Sequence, residues 1–308
     1  MADTFEMIDN IDYQFTLITS IILTIVGFIG NSLTVFIMAK PKMRNISMFR
    51  YLIVSMVNDC WVLVTMWFCT FSEAFQNSSI SCKWTNYIEY LNYNYSGWIV
   101  VVSLADRLIT VKFPYKFMFR NQLKFQVFVL LVIYIILIFL NIPFYIYYDI
   151  DDLSNQSICE INDPNTGFYV ELSGALMGVI IPFILMLIIS SLIGRFLTKK
   201  GKSIHMKKSL KKEVRLIKMM ISMSIFFITC NLPFYIQQLI HDVLFFDDSK
   251  LSNSISNFIF NITNQLTFVY NSFGFFICLF SNNVFREYFY SNFVFRQQTL
   301  VHPLNTNS

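Results

Sequence analysis

Charge is scarce in this chain. Only 14% of its 308 residues are Asp, Glu, Lys or Arg, against about 25% in a soluble domain, which excludes an ordinary water-soluble fold of this length. Its six cysteines form no CxxC pair and its three histidines no paired ligand set, so a metal framework is not indicated. No internal repeat or low-complexity tract breaks the chain, and nothing marks off an independent soluble domain. A basic stripe is also missing. The net charge of +4 is divided between two sides, which removes nucleic-acid binding as a main role. No His/Cys/Asp constellation has catalytic spacing, so an enzyme is not expected.

Apolar residues are abundant: 55% of the chain is hydrophobic, 18% is aromatic, and Phe alone contributes 34 residues. Uncharged runs extend over Tyr13 to Ala39, Phe125 to Tyr148, Leu172 to Gly194, Met219 to Ile240 and Leu251 to Phe285. Each is long enough to cross a bilayer, which takes about 20 helical residues. Two more runs hold a single acid, Asp59 in Tyr51 to Ser72 and Glu89 in Trp84 to Ala105. Lipid leaves an extended backbone unsatisfied, so these runs must be helices. The expected fold class is an all-α membrane protein, a seven-transmembrane helix bundle. A short amphipathic eighth helix over Asn283 to Phe293 would lie on the inner leaflet. One domain over 1–308 is expected, with 1–14 an extracellular leader and 293–308 a short cytoplasmic tail. No basic n-region precedes the first span, which should serve as its own insertion signal.

Basic residues set the orientation, because short cytoplasmic loops collect Lys and Arg. Of the 23 in the chain, only Lys83 and Lys250 fall on the face opposite the others. The acids lie mainly with those two, giving an outer face near about −12 and a positive inner face. The amino terminus is then outside and the carboxyl terminus inside. Cys82 and Cys159 share the oxidising side, where a disulfide is expected. The outer sequons at Asn77 and Asn155 are glycosylation candidates, whereas Asn45, Asn94 and Asn261 carry the pattern in inaccessible places.

Polar groups inside spans are costly and mark function. Asp59, Asn92, Ser96 and Asn271 could form one pocket, occupied by sodium or by a structural water network. No other cofactor is expected. Glu89 lies eighteen residues before Arg107, five turns of helix or about 27 Å. Asp106 and Glu213 could bracket Arg107 and hold the third and sixth spans together, although all three could equally be ordinary headgroup-level charges. Pro143, Pro182 and Pro233 each interrupt a span.

From Gly30 to Arg286 these residues resemble the rhodopsin-like (class A) G-protein-coupled receptors. Gly30-Asn31, the VSMVNDC around Asp59, ADRLITVKFP with Arg107, FITCNLP with Phe227, Cys230 and Pro233, and GFFICLFSNNVFRE follow the family's motifs in order. The last is most similar to invertebrate neuropeptide (FMRFamide-type) receptors. Leu108, Asn231, Gly274 and Cys278 depart from the family's Tyr, Trp, Asn and Tyr. The resemblance implies a plasma-membrane receptor that activates a heterotrimeric G protein. It assigns Asp106, Arg107 and Glu213 to coupling and an inactive-state lock, and Phe227, Asn231 and Pro233 to a conformational switch. An extracellular, cationic peptide is the expected ligand, bound by Glu89, Tyr93, Gln237, Asn264 and Phe268, because a carboxylate beside rings and amides suits an Arg and an aromatic end. The rivals are an amine receptor, a non-signalling receptor-like protein and a transporter; the last lacks the expected repeated halves or broken helices.

Overall fold

The computed structural model describes residues 2–71, 78–113, 122–151, 158–161, 163–200, 207–244 and 250–294. In chain order the helices are α1 (Ala2–Met38), a single turn α2 (Pro41–Arg44), α3 (Ser47–Phe71), α4 (Ser79–Lys112), α5 (Leu123–Leu140) and α6 (Ile142–Tyr147). After a short β1–β2 pair come α7 (Pro164–Ala175), α8 (Ile181–Lys200), α9 (Lys207–Leu244), α10 (Lys250–Ser281) and α11 (Asn283–Phe289). Among the described residues these make seven helical spans, with α5–α6 and α7–α8 each forming one.

Among the described residues, five spans are long and apolar enough to cross a membrane by composition: α1, α3, α5–α6, α7–α8 and α9. A sixth consists of α10 joined to α11 across a 99° bend. The remaining helix, α4, is too polar for that criterion. Its Asn92, Asn94, Ser96 and Ser103 are buried, and it packs against α3, α5, α6, α8 and α9. A polar helix is tolerated at the centre of a bundle because neighbouring helices satisfy it. Large side chains such as Ile25, Phe28, Phe128, Ile135 and Leu187 stay exposed. They form an outward apolar surface suited to lipid.

Local chemistry explains where the spans break. Pro143 sits in the first turn of α6, whose N-cap is Asn141, because proline cannot donate backward but fits a helix start. Asn141 is buried there, accepting from Asn94 Nδ2 at 2.8 Å and donating to the Leu137 carbonyl. Ahead of Pro182, Leu176–Ile180 winds as a π turn. The Trp98 indole donates to the Met177 carbonyl within it at 3.0 Å, the kind of partner such a bulge requires. Asn282 caps α11, accepting from the amides of Val284 and Phe285. Phe285 is fully buried and meets Phe275 edge-on. This pins the eighth helix at its bend.

The expected leader is not separate from the first span. From Ala2 onward it is helical and continuous with α1, and its Asp9 and Asp12 line a cavity at the mouth of the bundle. At that mouth β1 (Asp149–Asp151) pairs antiparallel with β2 (Ile158–Glu160), Ile150 opposite Cys159. Cys82 and Cys159 are joined as expected, with alpha carbons 5.8 Å apart, which ties the hairpin to α4. Asn77 and Asn155, the sequon candidates, lie outside the described residues.

Candidate ligand site

Two cavities open between the outer halves of the helices. The first, about 310 Å³, is lined by residues of α4, α7, α9 and α10, including Glu89, Tyr90, Tyr93, Glu171, Phe234 and Gln238. The second, about 570 Å³, lies between α1, α4 and α10 and is lined by Asp9, Asp12, Thr16, Glu89, Gln265 and Phe268 among others. Glu89, Asn257, Phe260 and Asn264 line both. Among the described residues, neither lining includes a Lys, Arg or His.

The two inner acids are held differently. Glu171 is buried and takes a hydroxyl on each oxygen, Tyr148 on Oε1 at 2.6 Å and Tyr90 on Oε2 at 2.7 Å. Gln238 donates onward to the Tyr90 hydroxyl at 3.3 Å. Tyr90 stacks on Phe144 with ring centroids 3.8 Å apart. Glu89 has no such support: it lines both cavities and makes no hydrogen bond or ion pair to a described residue.

Four of the five expected ligand contacts line these cavities: Glu89, Tyr93, Asn264 and Phe268. Tyr93 and Phe268 pack together at 6.0 Å, and the Tyr93 and Thr267 hydroxyls lie 3.4 Å apart. Gln237 lies apart from the other four. It is buried with its Nε2 unpartnered and lines neither cavity, whereas Gln238 does. One residue along a helix turns the side chain by about 100°, and that rotation separates the two. Glu171, Tyr90, Tyr148 and Asp12 were not among the expected contacts.

Deeper in the bundle, Asp59, Asn92, Ser96 and Asn271 are all buried. Ser96 Oγ meets Asp59 Oδ1 at 3.4 Å. The amide groups of Asn92 and Asn271 instead donate along their own helices, to the carbonyls of Ile88 and Thr267. At Gly274 an added Cβ would meet the Met56 methyl at 2.8 Å and its sulfur at 3.0 Å, so a thioether fills the room an oxygen ligand would need. Sodium requires hard oxygen donors. In this set Asp59 accepts one hydroxyl, and Asn271 Oδ1 is a buried oxygen without a partner among the described residues.

At the inner end Arg107 and Asp106 are both buried, with Nη2 3.0 Å from Oδ2. Ser47 on α3 donates to the same Asp106 oxygen at 2.5 Å and accepts from Arg107. The hydroxyl therefore bridges the ion pair to a second helix. The Glu213 side chain lies outside the described residues. Phe227 sits against Gly97, where a Cβ would meet its ring at 2.9 Å, and packs edge-on against Tyr270. Asn231 donates to the Phe227 carbonyl at 2.7 Å, two residues before Pro233 within the same helix. Asn231 thus braces its own helix instead of reaching into a cavity.

A bundle of seven spans, with a cavity at one end and a buried Arg-Asp pair at the other, defines a multi-pass membrane receptor. Residues 30–281 match the family model described as 7 transmembrane receptor (rhodopsin family), and the chain belongs to that family of G-protein-coupled receptors. It is similar to cysteinyl leukotriene receptor 1 of Mus musculus, 24% identical over 246 residues, covering 76% of this chain and 68% of that one. The Homo sapiens receptor of the same name is 23% identical over 242 residues, covering 76% and 71%. Family membership implies an extracellular ligand and G-protein coupling, and excludes an enzyme.

Proposed function

We propose that this receptor resides in the plasma membrane with its amino terminus outside, binds a cationic peptide in the paired cavities, and activates a heterotrimeric G protein. One observation carries the ligand assignment. The Glu89 carboxylate, without a partner among the described residues, sits on the wall shared by both cavities, and neither described lining supplies a basic side chain. The similar receptors are named for cysteinyl leukotrienes. A carboxylate ligand would face Glu89, Glu171 and Asp12 without a cation in the described lining to receive it, at a cost of several kcal/mol for like charges. The second cavity favours a peptide over a monoamine, because the space around Glu89 continues past Phe260 and Asn264 to α1. Arg107 and Asp106, joined to Ser47, support coupling on the inner side.

The test is a G-protein dissociation screen in cells expressing the chain, using amidated peptides with and without Lys or Arg, monoamines and leukotrienes. Activators are expected to carry a cation and to lose about 30-fold or more in potency with Glu89→Gln, since a desolvated ion pair is broken. An acidic activator, or potency unchanged by that substitution, overturns the assignment.

A further inference from the structure

The second cavity holds polar atoms that the fold leaves unused. On α1, Asp12, Thr16 and Ser20 are spaced four apart and share one face. Two rungs tie that face to α10: Asn261 donates to Asp12 Oδ2 at 2.6 Å, and Gln265 donates to Ser20 Oγ at 3.1 Å. Thr16 lies between the rungs. Within this two-turn stretch Asp12 Oδ1, Thr16 Oγ1 and Gln265 Oε1 are buried from water yet have no hydrogen-bond partner, and all three residues line the second cavity. Gln265 is only 6% exposed. Its amide is fixed by the bond to Ser20, which leaves the carbonyl oxygen without a donor. Buried acceptors without donors cost free energy unless something supplies the protons.

We propose that this face of α1 and α10 is a second subsite, for a primary ammonium group. An ammonium carries three N–H donors and no acceptor. The subsite offers three acceptor atoms, one of them on a carboxylate, and no competing cation in the described lining. A ligand that reaches it while pairing with Glu89 carries two positive groups, such as a peptide with a free amino terminus and an Arg side chain. This inference rests on the cationic-ligand reading of Glu89 and adds the position and chemistry of a second charge.

The probes are Gly-Gly-Arg-Phe-amide and its N-acetyl form, which differ by one ammonium. Binding to the purified full-length receptor is read from the concentration dependence of its thermal unfolding midpoint, since a ligand that binds only the folded state raises it. The free peptide should bind about tenfold or more tightly than the acetylated one. Asp12→Asn should erase that difference, and saturable binding of the acetylated peptide by the same variant shows that it is folded. Gln265→Leu should narrow the difference. Glu89→Gln should weaken both peptides alike. Acetylation that changes nothing, or a preference that survives Asp12→Asn, overturns the ammonium subsite while leaving Glu89 as the anchor, and the buried acceptors then hold water alone. Failure of both peptides to bind at millimolar concentration, or binding indifferent to Glu89→Gln, overturns the cationic reading and the subsite with it.

Discussion

Tyr148, at the end of the fourth span, donates a 2.6 Å hydrogen bond to Glu171 of α7, while Tyr90 of α4 holds the other carboxylate oxygen. Three segments distant in sequence therefore close on one acid, beside a hairpin already tied to α4 by a disulfide. Hydrogen bonds to a carboxylate are among the stronger ones, about 1.5–3 kcal/mol each. Tyr148→Phe keeps the ring and removes the hydroxyl, so it should destabilise the receptor by that amount. The thermal unfolding midpoint of purified protein would report it. A midpoint identical to that of the parent would mean the carboxylate does not depend on this hydroxyl.

The inner site makes a separate prediction. Ser47 bonds both members of the Arg107–Asp106 pair, which links α3 to α4 at the face where a G protein would act. Ser47→Ala breaks the link and leaves the ion pair in place. If this arrangement holds the receptor inactive, ligand-free nucleotide exchange on a co-expressed G protein should rise, by the equivalent of about 1–3 kcal/mol of lost bias. Basal exchange that stays flat at equal surface expression would assign Ser47 a packing role only.

These two sites show what the sequence makes legible and what it hides. Hydropathy marks α1, α3 and α9 because their outward faces meet lipid. The central α4 is legible only as an apolar run interrupted by Glu89, since its polar residues are satisfied by neighbours that hydropathy does not register. Glu89 stands out because it is alone in a span. Glu171, near a span end, reads as one more outer acid until Tyr90 and Tyr148 arrive from elsewhere in the chain. Ser47 carries no motif, and its role exists only once α3 and α4 are side by side. Gln237 and Gln238 differ by one position, and only the packing of α9 against its neighbours decides which of the two faces the cavity.

The contact around Asp59 should be indifferent to the monovalent cation. With the Asn92 amide turned to its own helix and Met56 filling the space at Gly274, exchange of sodium for choline at constant ionic strength should leave agonist affinity unchanged. A sodium-specific drop in affinity, lost on Asp59→Asn, would show that an oxygen shell does assemble there.

Outside the membrane, Asp149 accepts from Ser79 at 2.5 Å and pairs with Lys83 at 2.9 Å. The Ser79 bond first, and then Lys83, lower its pKa from the ordinary 3.8 to about 2. A depressed acid favours the folded hairpin above its unfolded value and loses that contribution as pH falls from 3.8 toward about 2. The group is exposed, so the effect on overall stability is small. Ser79→Ala should move the carboxyl titration of Asp149 back toward its ordinary value, as followed by carbon NMR. An unmoved titration would remove Ser79 as the main cause.

Two glycines in the fifth span should respond in opposite ways to the same substitution. At Gly178, inside the π turn, an added Cβ would fall 2.3 Å from Asn94 Oδ1 and 2.6 Å from the Tyr235 hydroxyl. Asn94 cannot retreat freely, because its Nδ2 is engaged with Asn141. The methyl group must therefore displace a polar contact that joins α4 to the fourth span, or push the π turn outward. Overpacking of this kind costs about 1–3 kcal/mol. At Gly194, in α8, an added Cβ meets nothing within 4 Å. The substitution there removes only glycine's helix penalty, worth about 0.8–1 kcal/mol. Gly178→Ala should lower the thermal unfolding midpoint of the purified receptor and Gly194→Ala should raise it or leave it level. Because both changes add one methyl to the same span, a shared effect on expression or lipid insertion cancels in the comparison. Equal shifts for the two variants would show that the close approach at Gly178 relaxes without cost.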